Sequence, residues 1–295
     1  MILSMTGYGK AQAEINGKKV TAEIRSLNSK QLDLSTRISP YYKDKDNDIR
    51  TEILRRLERG KVDFALYTES IGEQNTGHIN QSLLQSYYNE LQEASRQLGL
   101  PLDAASVWTN LLRIPGVLQG ESFELPDDEW PQVWALVEAA IDQLVAFRTQ
   151  EGAMLDRFFD ERVSKIEGLL AQVEPFETNR IELIKARLLD SLEKLGTDKY
   201  DPARFEQELI YYLEKLDITE EKTRMRNHCL YFRQTAAGQE DGKGGKGKKL
   251  GFIIQEMGRE INTLGSKSNQ AEMQRLVVCM KDCLEQMKEQ ILNVL

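Results

Sequence analysis

The chain has 295 residues, 40% of them apolar and 29% charged, with 39 Lys and Arg against 47 Asp and Glu for a net charge of −8. Single cores stop growing near ~250 residues, so a substantial core and more than one structural unit are expected. Residues 1–67 carry 13 basic against 9 acidic side chains (+4), residues 68–240 carry 17 against 31 (−14) and residues 241–295 carry 9 against 7 (+2); this excludes a uniformly basic polyanion binder but leaves room for a local polyanion site.

The opening "MILSMTGYGK" has no basic region followed by a long apolar stretch, and no apolar run approaches the ~20 residues of a membrane span. A cytoplasmic protein outside the membrane is expected. "GYG" at 7–9 reads as a short turn. Asn16-Gly17 is a hairpin signal, and "KKVTAEIRSLN" after it alternates Val20, Ala22 and Ile24 against Thr21, Glu23 and Arg25. "QLDLSTRIS" repeats the alternation through Leu32, Leu34, Thr36 and Ile38 up to Pro40. A helix, "NDIRTEILRRLERG", follows with Ile49, Ile53 and Leu57 inward, and "KVDFALYTES" returns as a strand with Val62, Phe64 and Leu66 buried. The expected unit is a small antiparallel sheet ordered βββαβ with one helix packed on it.

From Asn80 onward the periodicity is helical. Helices are predicted at 81–98 and 103–113, then a long one from Trp130 to about Val173, ended by Pro175, and others at 176–195, 203–214 and 218–235. Asp217 and Glu220 have the spacing of a capping box. "AGQEDGKGGKG", 237–247, reads as a Gly- and Lys-rich loop, mobile for want of a core to join. Its Lys243 and Lys246, with Lys248 and Lys249, suit phosphates or a solvated linker equally.

"GFIIQEMGREINTLGSK", 251–267, is amphipathic. Ile253, Ile254, Met257, Ile261 and Leu264, with Leu250, form a core-facing stripe, whereas Glu256, Arg259, Glu260, Thr263 and Lys267 gather on the other side. That polar face reads either as a solvated surface of ion pairs or as a group able to act together. Gly251, Gly258 and Gly265, seven apart, reflect either close approach of another backbone or chance, equally. A break is predicted near Ser266, with Asn269 and Glu272 as a second capping box. Met273, Val277, Met280, Leu284, Met287, Ile291 and Val294 then keep an a/d seam against another helix, of this chain or a neighbour's. Together these elements predict an α+β protein: the N-terminal sheet with its packed helix, then a predominantly helical region with long helices and a C-terminal helical hairpin. The expected division is 1–155, a connector at 156–205 and a C-terminal helical domain at 206–295.

Cys229, Cys279 and Cys283 are too few for a disulfide framework. Core packing is the expected role of Cys279 and Cys283, with a soft metal site including His228 as the alternative. Walker, GxSxG and HExxH patterns are absent. In "DITEEKTRMRNH" Glu221, Arg224 and His228 line one helix side, His228 being either an ordinary core or surface histidine or a ligand. Beside Glu256 and Glu260 they offer hard oxygen donors of the kind Mg²⁺ or Mn²⁺ requires, and cations that suit a phosphodiester.

In order along the chain, "SMTGYG" (4–9), "EIRSLN" (23–28), "RGKVD" (59–63), "EGAML" (151–155), "DITEEKTRMRNH" and "KKLGFIIQEMGREINTLGSK" resemble the bacterial YicC/YloC endoribonucleases over nearly the whole length. The resemblance implies a divalent-metal-dependent endoribonuclease acting on structured or small RNA, using Mn²⁺ or Mg²⁺. It further implies assembly as a ring-like homohexamer around an RNA channel, and RNA and other RNA-degradation proteins as partners. On these positions Glu256, Glu260 and His228 are expected to be catalytic, and Glu221, Glu256 and Glu260 to hold metal. Arg25, Asn28, Arg224, Arg259 and Lys267 are expected to contact RNA phosphate; Ser26, Asn262, Thr263 and Ser266 also match the motifs. The chain departs from the family's usual pattern at Ser29-Lys30, where His-Arg is common, at Gly251, where aspartate is usual, and at Lys222 and Met225. A non-catalytic RNA scaffold serving another ribonuclease, or a purely structural helical oligomer, are the other readings of the same residues.

Overall fold

The computed structural model describes all residues except 1, 71–77, 102, 120–125, 127, 179, 195–200, 239–244 and 269. Strands β1 (Gly7–Ile15) and β2 (Lys18–Leu27) form a hairpin closed by Asn16 and Gly17, both at positive φ (49° and 73°), the geometry in which an Asn-Gly pair matches strand twist. "GYG" is therefore strand rather than turn. β3 (Leu32–Ile38) is followed by a 3₁₀ segment, Pro40–Lys45, and α1 (Asp46–Arg56), which lead into β4 (Gly60–Ser70). The sheet order is β1-β2-β4-β3: antiparallel across its first three strands, with β3 joining β4 in parallel. The parallel edge follows from the helical crossover, which brings the chain back in the same direction.

β5 (His78–Ile79) pairs with β6 (Leu118–Gln119). Between them lie α2 (Gln81–Leu98), capped by the Asn80 side chain and stopped by Gly99 at φ 67°, and α3 (Ala104–Leu111). α4 (Glu129–Ala171) runs 43 residues, about 65 Å of helix. Its first half lies on the sheet: Val133, Val137, Ala140, Ile141 and Leu144 share one core with Val20, Ala22, Ile24, Ile49, Ile53, Phe64 and Leu66. The contact is so close that a Cβ on Gly9 would stand 2.0 Å from the Ala140 carbonyl, which explains that glycine.

The second half of α4 enters a separate core through Phe159, Val163, Ile166 and Leu170. Short α5 (Glu174–Thr178), α6 (Arg180–Lys194) and α7 (Pro202–Leu216) follow; α7 has no buried residue. The second core is completed by α8 (Thr219–Ala237), α9 (Lys246–Lys267) and α10 (Ala271–Ile291). The α10 seam from Met273 to Val294 is buried against this chain's own helices. Gly258 and Gly265 make room for Leu284 and Val277 side chains of α10, not for another backbone; of the described glycines of α9 it is Gly247 that faces a carbonyl, that of Val294, and an added Cβ on Gly251 would meet nothing within 4 Å.

Three local expectations change. The N-cap of α8 is Ile218; Asp217, one residue earlier, accepts from the Thr219 amide and hydroxyl, while Glu220 turns to Arg224, so the Asp–Glu box does not form. Lys246 and Gly247 belong to α9, shortening the Gly- and Lys-rich loop, whose residues 239–244 lie outside the described ones, as does Asn269 of the second capping box. Cys229 and Cys283 are buried, as packing requires, but Cys279 is exposed. Burial pushes the Cys229 thiol up to about 12.

The two chain ends meet. Ser4 bridges Val294, and the Leu295 amide donates to the Leu3 carbonyl at 3.0 Å. Among the described residues, no helix is long and apolar enough to cross a membrane.

Candidate functional site

α8 and α9 are antiparallel neighbours, because the cross-helix partners run in opposite orders. Lys267 meets Glu221 at 2.7 Å, Arg224 meets Glu260 at 3.9 Å, and the Lys249 ammonium lies 5.6 Å from the centre of the Tyr231 ring. Spacing of three and four places Glu221, Arg224, His228 and Tyr231 along one side of α8. On α9 the same spacing puts Lys249, Glu256, Glu260 and Lys267 along the facing side. The shared edge therefore runs from an ion pair at one end, through carboxylates and a guanidinium, to an aromatic and basic end.

Burial differs along it. Glu221 and Glu260 are 5% and 8% exposed, their helices' apolar stripes drawing the adjoining carboxylates partly inward. Glu221 is held by Lys267, which also donates to the Asp217 carbonyl at 2.8 Å; its other oxygen, Oε2, is buried with no hydrogen-bond partner among the described residues. The Asp217 carboxyl stays below the usual carboxylate range chiefly because the Thr219 hydroxyl donates to it, with the Thr219 amide and the Lys267 charge adding to the effect. Arg224 pairs with Glu220 and leaves its guanidinium accessible beside Glu260. Glu256 binds Arg259 at 2.7 Å as an exposed i,i+3 pair. His228 is half-buried one turn beyond Arg224, and no hydrogen bond joins its ring to another described residue.

The structure thus brings Glu221, Arg224, His228, Glu256, Glu260 and Lys267 to one edge. Arg25 and Asn28 do not join it. Arg25 pairs with Glu23 on β2, lies 5.5 Å from the Tyr8 ring and lines a groove of about 710 Å³ on the sheet with Arg37, Asp63 and Tyr67. Asn28 donates to the Leu292 carbonyl and so ties the end of β2 to the chain terminus. Ser26 is buried, donating to the Met5 carbonyl. Thr263 and Ser266 turn their hydroxyls onto carbonyls of their own helix, those of Arg259 and Thr263. Of the positions that depart from the family pattern, Lys222 binds Glu177 and Met225 is in the core.

The donor chemistry of the edge suits a hard cation, since the ligands on offer are carboxylates. Among the described residues, however, no three His, Cys, Asp or Glu side chains are gathered closely enough to hold a metal ion. Glu221 is committed to Lys267, so a set of Glu221, Glu256 and Glu260 is not preformed. A site of one or two carboxylates completed by a substrate phosphate fits, which is how Mg²⁺ is commonly held. Sequence reasoning passed over two exposed aromatics beside this edge, Tyr231 and Phe252. For Phe252 a signal was present in "KKLGF", where an aromatic follows two lysines; Tyr231, in "CLYFRQ", has no such local signal.

The family model described as "Endoribonuclease YicC-like, N-terminal region" matches residues 2–157, and that described as "Endoribonuclease YicC-like, C-terminal" matches residues 173–295. The chain is 30% identical over 295 residues to a protein of Haemophilus influenzae named "Probable endoribonuclease YicC". It is 28% identical over 298 residues to one of the same name from Clostridioides difficile. Both alignments cover 100% of each chain.

Proposed function

We infer that this chain, which belongs to the YicC-like endoribonuclease family, cuts RNA along the edge where α8 meets α9. It is an endoribonuclease, and the observation that carries the assignment of the site is the pairing of Glu260 with Arg224. A mostly buried carboxylate from one helix lies 3.9 Å from an exposed guanidinium of the other, with Glu256 one turn away and His228 one turn beyond Arg224.

Hydrolysis of a phosphodiester needs three things: an activated water, a cation for the charge gathering on the phosphate oxygens, and a proton for the leaving oxygen. In this reading Glu260 and Glu256 take the proton from water as its oxygen bonds to phosphorus. Arg224, whose planar fork matches phosphate geometry, neutralises the non-bridging oxygens, with Arg259 on the rim. His228 delivers a proton to the oxygen that leaves as its bond to phosphorus breaks. Glu256 and Glu260, with the RNA phosphate, would hold Mg²⁺ or Mn²⁺. When bound, such an ion supplies Lewis-acid polarisation of the phosphate and a more acidic water. Lys267 and Glu221 lock the two helices together and so position these groups.

Assembly of several copies is part of this reading. Its support is the surface of α7, where Ile210, Tyr211 and Tyr212 are exposed and the helix buries none of its residues against its own chain. A ring of six copies is the arrangement we propose, in the cytoplasm, where the RNA would be met.

The test incubates the full chain with a labelled hairpin RNA in Mg²⁺, in Mn²⁺ and in chelator, beside Glu260→Gln and Glu256→Gln. Cleavage that needs metal and falls about 10²-fold or more in Glu260→Gln is expected, the scale of losing an acid–base group, with an unchanged elution volume on gel filtration. Full cleavage by both variants would remove the pair from the mechanism. Binding without cleavage in every metal would make the protein a scaffold.

A further inference from the structure

The lysine-rich end of the α8–α9 edge has no part in the chemistry just described. Tyr231 on α8 and Phe252 on α9 are 46% and 56% exposed. Each carries an ammonium over its ring: Lys249 at 5.6 Å from the Tyr231 centroid and Lys248 at 6.0 Å from that of Phe252. Cation–π contacts at exposed sites are weak, so these two pairs do not by themselves explain why large apolar rings are left in solvent. Phe252 is four residues before Glu256, about 6 Å along the helix. That is the length of one or two stacked nucleotides at ~3.4 Å each.

We propose that Tyr231 and Phe252 form a base-stacking subsite that holds unpaired nucleotides of RNA next to the cleavage edge, with Lys248 and Lys249 on the adjoining phosphates. The proposal rests on the assignment of the α8–α9 edge as the place where RNA is cut. An exposed ring offers a flat apolar face to any base whose own face is bare, and a flanking ammonium then meets the phosphate that the base brings with it. A base inside a duplex has both faces covered by its neighbours and cannot use such a ring. The subsite therefore selects loops, bulges and single-stranded ends over continuous helix, and it does so without reading sequence, because every base has a π-face. The carboxylates one turn away would be repelled by a strand that lay flat along them, so anchoring by stacking and by lysines on one side lets a single phosphate approach Glu256.

The experiment measures equilibrium binding of a fluorescent ten-nucleotide single strand, and of the same strand in a perfect duplex, to the full chain by anisotropy, with chelator present to stop cleavage. Tyr231→Ala and Phe252→Ala are each expected to weaken single-strand binding by about 5- to 150-fold, the span measured for loss of one stacked base. Neither should alter duplex binding or the dependence of affinity on salt. Tyr231→Phe and Phe252→Tyr, which keep a ring, should restore affinity. Lys248→Gln and Lys249→Gln should instead flatten the salt dependence. Wild-type binding that both alanine variants reproduce would overturn the subsite and leave the nuclease reading standing. A wild-type chain that binds neither RNA would overturn both.

Discussion

Lys267, the last residue of α9, reaches across to Glu221 in the first turn of α8 and donates to its carboxylate at 2.7 Å. The carboxylate side chain is 7% exposed and the lysine 27%, so the two charges differ in what happens when the partner is lost. A carboxylate left without its ammonium remains in a poorly solvated place, with Oε2 already lacking a partner among the described residues. The lysine, given a neutral partner, can turn to water. Lys267→Met is therefore expected to destabilise the chain by about 2–3 kcal/mol, the low end for breaking a buried pair because the lysine is partly solvated. Glu221→Gln should cost less than about 1 kcal/mol, since its amide oxygen still accepts the bond. Urea melts followed by circular dichroism read both, and equal losses would contradict the asymmetry.

The start of α8 carries a pH dependence of definite sign. Thr219 donates to the Asp217 carboxylate from its hydroxyl and its amide, and this holds the folded-state carboxyl below its ordinary value. A depressed folded value means that the charged form stabilises the fold. The contribution is complete above the unfolded value of about 3.9 and fades as pH falls through the folded one. Asp217→Ala should cost about 1 kcal/mol near neutrality, the net scale of an intramolecular hydrogen bond. The gap between variant and wild type should narrow below about pH 4. Urea midpoints near neutrality, at about pH 4 and at about pH 2.5 check this; a gap constant with pH would mean that the carboxylate charge plays no part.

How much of this was legible in the sequence depends on whether a feature is local. The bounds of α2 could be read off because Asn80 and Gly99 are local signals: the asparagine side chain accepts from the Leu83 amide, and the glycine takes a conformation that other residues resist. The direction of β3 could not be read, because an alternating strand looks the same in a parallel or an antiparallel pair; its crossover through α1 decides it. Spacing correctly put Glu256, Glu260 and Lys267 on one side of α9 and Glu221, Arg224 and His228 on one side of α8. It could not tell that Lys267 would be spent on Glu221, because that depends on the antiparallel register of two helices. Arg25 and Asn28 were grouped with the site through their motif, yet Asn28 serves as a tether to Leu292.

The N-terminal motifs have a structural centre that no spacing announces. Arg148, in the middle of α4, is 4% exposed and donates through Nη2 to the Met5 carbonyl at 3.2 Å, the Arg59 carbonyl at 3.1 Å and the Ser26 hydroxyl. Those acceptors come from "SMTGYG", "RGKVD" and "EIRSLN", so three separated segments of the sheet end on one guanidinium. "EGAML" adds Glu151, which accepts from Thr6, and Gly152, where a Cβ would stand 2.1 Å from the Ile2 carbonyl. Burial lowers the pKa of Arg148, but a guanidinium stays charged in proteins, so no pH step should arise from it. Arg148→Lys keeps the charge, but its side chain is one bond shorter, so the ammonium falls short of the point where Nη2 meets all three acceptors. A loss of about 3 kcal/mol is expected, on the order of one or two bonds to a charged donor. Ser26→Ala should cost about 1 kcal/mol, since it removes one acceptor and one donated bond. RNA cleavage per folded molecule should be unchanged in both, because Arg148 touches none of the α8–α9 residues described. Cleavage that fell while the urea midpoint held would move Arg148 out of the scaffold and into the reaction; a midpoint lowered in Arg148→Lys with cleavage intact keeps it as the joint between sheet and helix.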